Sequence, residues 1–259
     1  REWGAPDAPA LVILHGYTGN ARGTDDQASA FADQLHVLVP DLRGHGETEW
    51  APEYSINSFV ADLEAFVEHL RLPSVPLVGL SLGGSIAFHY AARHPVRVSR
   101  LVVWDIGPDG FNAPWIEPAL AQSRAAGRET FEDPEEAVQR ALAAAPGASE
   151  AEVRARTTYN LVQDADGRWR WRYDAAGIGA TFSHGRKVEA AAWSAWAEVR
   201  CPILLLHGDN SWALNHENAE RMVGAAANCR LVEAPDWGHG VPVQNRARYL
   251  SVVRPFLLE

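Results

Sequence analysis

The pentapeptide Gly79-Leu80-Ser81-Leu82-Gly83 constrains the fold more than any other stretch, because of what lies on either side of it. Before it runs the apolar segment Leu77–Leu80, and after it a helical pattern over Leu82–Arg93. A serine at such a junction sits in a strained backbone conformation. Small residues at Gly79 and Gly83 permit that conformation by avoiding clashes with neighbouring chain. The turn lifts the hydroxyl above the edge of the sheet, where a base can reach it. Gly84 extends the small patch and lets the helix approach closely.

The same alternation of short apolar runs with helical patterns recurs along the chain, which predicts a parallel sheet with helices on both faces. Candidate strands are Leu11–Leu14, Val37–Val39, Leu77–Leu80, Leu101–Trp104, Ile203–Leu206 and Arg230–Val232. All are short and apolar, as strands buried on both faces should be. Between them Ile56–Leu70 reads as a helix behind a Ser55 cap, its apolar stripe facing the core.

The alternation breaks between about Pro108 and Val199. That stretch shows no convincing strand and several helical segments, around Ile116–Ala125, Pro134–Ala145 and Ala151–Val162, with joints such as Pro146-Gly147. It carries Trp115, Trp169, Trp171, Trp193 and Trp196. An aromatic-rich helical insertion after a sheet strand reads as a cap over the sheet's C-terminal edge. Some of these tryptophans are expected to pack the insertion onto the body. The expected division is a core of residues 1–107 and 200–259 and a helical cap of residues 108–199.

Composition narrows the function. At 259 residues with 47% apolar content, the chain can bury a sizeable core. A formal net charge of −10 and the lack of a long basic run argue against a nucleic-acid groove or an anionic membrane surface. Apolar runs such as Ile203–Leu206 are strand-sized, far short of the roughly 20 residues of a membrane span. No signal-peptide pattern opens the sequence, but it starts at Arg1 rather than Met, so this carries no weight. A disulfide between Cys201 and Cys229 is geometrically open, free thiols are the favoured reading, and a reducing cytoplasm is the expected setting.

Two more motifs bear on chemistry. His15-Gly16-Tyr17 follows the strand Leu11–Leu14. A developing oxyanion needs two backbone N–H groups held in place beforehand, and Leu82 and Tyr17 are the candidates. His15 itself reads as structural. Trp237-Gly238-His239-Gly240 follows the last strand and places an imidazole on a Gly-flanked loop. A serine hydroxyl is a poor nucleophile until such a base takes its proton, which makes His239 the candidate base and His207 its best rival.

Taken in order, His15-Gly16, Asp41-Leu42-Arg43-Gly44-His45-Gly46, Gly79–Gly83 and Gly238-His239 resemble the α/β-hydrolase superfamily, most closely small bacterial carboxylic ester hydrolases. The resemblance spans nearly the whole chain. It implies a mostly parallel sheet flanked by helices with a cap insertion, and hydrolysis of a small-molecule ester, lactone or thioester by Ser81 and His239. In such proteins the Asp41–Gly46 segment shapes a turn, so its polar residues are expected to be structural. The acid departs from the commonest pattern, in which it follows the strand that here is Ile203–Leu206. Those positions hold Ser211 and Trp212. Asp105, ending Leu101–Trp104, is the first candidate to orient the histidine; Asp209 is the second, and Ser211 a supporting group. Trp115, Trp193, Trp196 and Trp212 are candidate pocket residues. No metal or organic cofactor is expected, since there is no H-E-x-x-H, C-x-x-C pair or dinucleotide loop. Carbon–carbon bond hydrolysis, a lyase step or cofactor-free peroxidation on the same residues, and a non-catalytic ligand-binding cup, are the alternative readings.

Overall fold

The computed structural model describes residues 1–110, 113–144, 149–181, 186–235, 237–240 and 246–259. From the N-terminus come β1 (Glu2–Trp3), β2 (Ala10–Leu14), α1 (Asp25–Ser29), β3 (His36–Leu38), α2 (Ile56–His69), β4 (Val75–Leu80), α3 (Leu82–Arg93) and β5 (Val98–Trp104). The stretch that follows holds α4 (Glu117–Ala126), β6 (Thr130–Phe131), α5 (Pro134–Ala144), α6 (Glu150–Tyr159), β7 (Leu161–Gln163), β8 (Trp169–Trp171), α7 (Ala175–Thr181) and α8 (Arg186–Glu198). The chain closes with β9 (Ile203–Gly208), α9 (His216–Ala225), β10 (Cys229–Ala234) and α10 (Arg246–Leu258).

Seven strands form one sheet in the order β1-β3-β2-β4-β5-β9-β10. All neighbours are parallel except β1, which pairs antiparallel with β3. The strand period of two sorts the core onto the two faces. Val12, Leu14 and Leu77 join the cluster under α2 and α3, with Leu63 and Ile86. Leu11, Ile13 and Val78 join the opposite cluster, with Phe31 and with Val253 of α10. The Ser55 cap on α2 is in place: its side chain accepts from the Ser58 N–H at 3.2 Å, and Phe59, Val60, Leu63 and Val67 are buried. Cys201 and Cys229 are free thiols.

The insertion differs from expectation in one respect. It contains a second, three-stranded antiparallel sheet, β6-β8-β7, so it is not wholly helical. The helix expected over Ala151–Val162 stops at Tyr159, where Asn160 turns the chain. The Asn160 side chain donates to the Thr18 carbonyl at 2.7 Å and accepts from Asn20 at 3.1 Å, while its own carbonyl accepts from the Arg172 N–H. Those tertiary bonds override the helical pattern, and strands of two or three residues are too short to show a period of their own. The Pro146-Gly147 joint lies outside the described residues.

Contacts tie the end of the small sheet and the residues after it to the segment between β3 and α2. The Gly46 N–H donates to Arg172 O at 2.9 Å, and the Asp174 N–H to Gly44 O at 2.8 Å. The Tyr54 hydroxyl donates to Asp174 Oδ2 at 2.9 Å. Gly44 and Gly46, with φ of 70° and 57°, shape the turn that receives these bonds. The last helix of the insertion behaves otherwise. On α8, Trp196 is fully buried in the main core, its ring edge-on to Phe88 at 5.6 Å and its Nε1 donating to Met222 O at 2.8 Å. Expected near Ser81, Trp196 packs instead two turns along α3 from it.

Candidate active site

Ser81 occupies the sharp turn between β4 and α3 with φ 51° and ψ −115°, a region that non-glycine residues rarely enter. The surroundings hold it there. Its N–H donates to Trp104 O at 3.0 Å, and its carbonyl accepts from the Ser85 N–H at 3.0 Å. A Cβ on Gly79 would lie 2.3 Å from Gly83 O, and one on Gly83 2.3 Å from Leu14 O, so the turn closes only with glycine at both places. Although Ser81 stands at the helix N-cap, its side chain makes no capping bond.

Asp105 follows β5, the neighbour of β4, and also has a positive φ of 56°. Its N–H donates to Leu206 O of β9 at 2.8 Å. The carboxylate is fully buried, and Oδ2 accepts from His239 Nδ1 at 2.8 Å and from the Ser211 hydroxyl at 2.5 Å. Because a carboxylate only accepts, Nδ1 carries the proton, and in the neutral ring that leaves the lone pair on His239 Nε2. The loop holding His239 is locked against the end of β9. The Asn210 N–H donates to Trp237 O at 2.9 Å, and a Cβ on Gly208 would lie 2.5 Å from the same oxygen. Gly240, at φ 153°, donates its N–H to Gly238 O at 2.8 Å and closes a tight turn around the histidine.

The structure therefore brings Asp105, His239 and Ser211 into contact, and sets Ser81 at the end of the adjoining strand. Asp209 is exposed, its N–H donating to Ala234 O at 3.3 Å. Trp212 is half-exposed, its ring 4.4 Å from the His239 ring. Trp193 donates from Nε1 to Asp109 Oδ1 at 2.7 Å, with the Arg221 guanidinium 3.7 Å above its ring, so it ties α8 to α9 and the segment after β5. Trp115 is exposed at the start of the insertion.

Gly16 comes close enough that a Cβ there would lie 3.6 Å from Ser81 Cβ, which puts the His15-Gly16-Tyr17 turn beside the serine. His15 is buried, with Nδ1 donating to Gly16 O at 2.9 Å and Nε2 accepting from the Leu42 N–H at 3.1 Å. Burial, with a contribution from His45, holds its pKa down to about 3. His45 is buried as well and donates from Nε2 to the Tyr17 carbonyl. Asp41 accepts from the Ala21 N–H at 2.6 Å and the Glu47 N–H at 2.9 Å, and Arg43 pairs with Asp62 at 2.6 Å. This segment braces the turn, as its polar groups all bond to neighbouring chain. The residues that sequence reasoning missed are its tethers, Asn20, Tyr54, Asn160 and Asp174. Their partners stand more than a hundred positions away, and no local pattern marks them.

Comparison with known proteins agrees with this fold. The model of the alpha/beta hydrolase fold family matches residues 9–245. The chain is 28% identical to a 3-hydroxybutyrate-oligomer hydrolase of Cupriavidus necator, over 92% of this chain and 85% of that one. It is 27% identical to the esterase Rv0045c of Mycobacterium tuberculosis, over 98% and 84%. The solved structure of an E-2-(acetamidomethylene)succinate hydrolase superposes with a TM-score of 0.85 over 100% of this chain and 94% of that one, at 23% identity.

Proposed function

The chain belongs to the alpha/beta hydrolase fold family, and from that premise we propose that it is a serine hydrolase cleaving a carboxylic ester, lactone or thioester through an acyl-enzyme. The observation that carries the reading is the 2.8 Å bond between His239 and a buried Asp105, beside a serine in a strained turn. Relatives named as an esterase and a 3-hydroxybutyrate-oligomer hydrolase support the substrate class.

In this reading His239 Nε2 takes the proton of Ser81 as its oxygen attacks the acyl carbon. Asp105 fixes the tautomer and stabilises the imidazolium that forms. Ser211 shares the charge of the same carboxylate oxygen. The Leu82 N–H, in the first helical turn where no intrahelical acceptor exists, and the Tyr17 N–H receive the oxyanion. His239 then returns its proton to the leaving oxygen or sulfur, and water repeats the sequence to release the acid. Residues 108–199 serve as the cap, and Trp212 and Trp115 line the approach.

The test is hydrolysis of nitrophenyl acetate together with labelling by a fluorophosphonate. Wild-type chain should turn over the ester and take one label. Ser81→Ala, folded by circular dichroism, should lose the label and fall about 10⁴-fold or more in turnover. A folded Ser81→Ala variant that keeps a hundredth of wild-type activity would refute the assignment. A wild-type chain that takes no label would return the reading to a non-catalytic binding cup.

A further inference from the structure

His207 lies in β9 with its ring buried and each nitrogen facing a different group. Nε2 is 3.0 Å from the Leu214 carbonyl, and a carbonyl oxygen only accepts, so Nε2 holds the proton. In the neutral ring Nδ1 then presents a lone pair, and it points at the Glu233 carboxylate, 3.3 Å from Oε1. Two acceptors face each other across that gap. His216, exposed at the start of α9, brings its own Nδ1 to 2.6 Å from the same oxygen. The gap calls for a proton or a cation.

We propose that His207, His216 and Glu233 form a site for a divalent first-row transition ion such as Zn²⁺. One ligand atom from each residue lies within 4.8 Å of the other two. Imidazole nitrogen and carboxylate oxygen are the ligands such ions take in tetrahedral sites, at bonds of about 2.0–2.2 Å. The exposed His216 side chain has the rotamer freedom to close the remaining distance. His207 has the second hydrogen bond that a ligating histidine needs, since donation of its far N–H to a carbonyl fixes the tautomer and aims the lone pair. The three residues border a cavity of about 380 Å³ that Asp209 and Ser211 also line, which leaves room for water at a fourth position.

The site stands apart from the Ser81–His239 pair but shares a loop with it. An ion held by β9, α9 and β10 would pin the 209–215 loop, whose Ser211 donates to Asp105. The spacing hid the cluster from sequence reasoning: His207 and Glu233 are 26 positions apart, and His216 and Glu233 are 17.

The test uses the full chain stripped with a chelator and titrated with zinc chloride, followed by calorimetry and thermal denaturation. One Zn²⁺ should bind per chain and raise Tm. His216→Ala and Glu233→Gln should each weaken binding about 10- to 100-fold, with ester turnover in metal-free buffer unchanged. Both side chains reach solvent, so neither change opens the core. His239→Ala, which removes the competing imidazole, should leave the affinity as it was. No binding up to millimolar Zn²⁺, an affinity indifferent to both His216→Ala and Glu233→Gln, or binding lost with His239→Ala would each overturn the site.

Discussion

Asp105 concentrates two donors on one carboxylate oxygen while sitting fully out of solvent. If its charge sets the histidine tautomer, Asp105→Asn should cost about 10⁴ in kcat with the fold retained. Ser211→Ala, which removes one bond to that charge, should cost about tenfold. Asp209→Asn, changing an exposed group, should be near wild type. Steady-state kinetics on folded variants checks all three, and an inactive Asp209→Asn beside an active Asp105→Asn would move the role of acid. Asp105 was legible because it closes an apolar strand and the commonest acid position holds Ser211. Its bond to Ser211 was foreseen only as an option. The roles of Trp193 and Trp196 were not legible, since a large aromatic looks the same in sequence whether it packs on α3, stacks under Arg221 or faces a pocket.

At the scale of elements, the junction of β4 and α3 depends on helix and strand backbones touching at Gly83. A methyl there would fall 2.3 Å from Leu14 O, inside any tolerable contact, so β2 or α3 would have to move. Gly83→Ala should therefore destabilise the fold by about 1–3 kcal/mol, seen as a lower urea midpoint. An unchanged midpoint would show that the contact is softer than its geometry implies. Elements buried on both faces, such as β4 and β9, were plain in the sequence because their runs are mostly apolar, with the buried His207 coming only near the end of β9. The small β6-β8-β7 sheet was invisible for the opposite reason. It is built from very short strands with half-exposed tryptophans, and its pairing is dictated by Asn160 and Arg172 rather than by pattern.

At the scale of the molecule, burial leaves neutral histidines in the core. Against an ordinary value of 6.5, burial holds the pKa of His15 to about 3 and that of His89 to about 4. Below pH 6.5 the unfolded chain takes up protons that the folded chain refuses, so stability is full above that pH and falls as acid is added. Each such histidine contributes about 1.4 kcal/mol per pH unit, His15 down to about 3 and His89 down to about 4. Urea midpoints should drop steadily from pH 6.5 towards 4.5, and His89→Gln should flatten the decline by one proton's worth. A pH-independent midpoint over that range would show that these rings are protonated in place.

The sheet order also bears on how such an enzyme can change over generations. Because β5 and β9 are parallel neighbours in register, Trp104 opposite Leu206, the loops that follow them start one strand spacing apart. Here the Ser211 hydroxyl already touches the carboxylate that accepts from His239 Nδ1. A chain carrying Ser211→Asp alongside Asp105 would hold two carboxyls there, one of them kept in its protonated form by the other's negative charge, and either could serve the imidazole. Loss of the older one would then complete a transfer between strands without any intermediate lacking an acid. In the proposed mechanism the place beside His239 Nδ1 is in this sense a tenancy open to two adjacent strands, and it would pass across one change at a time.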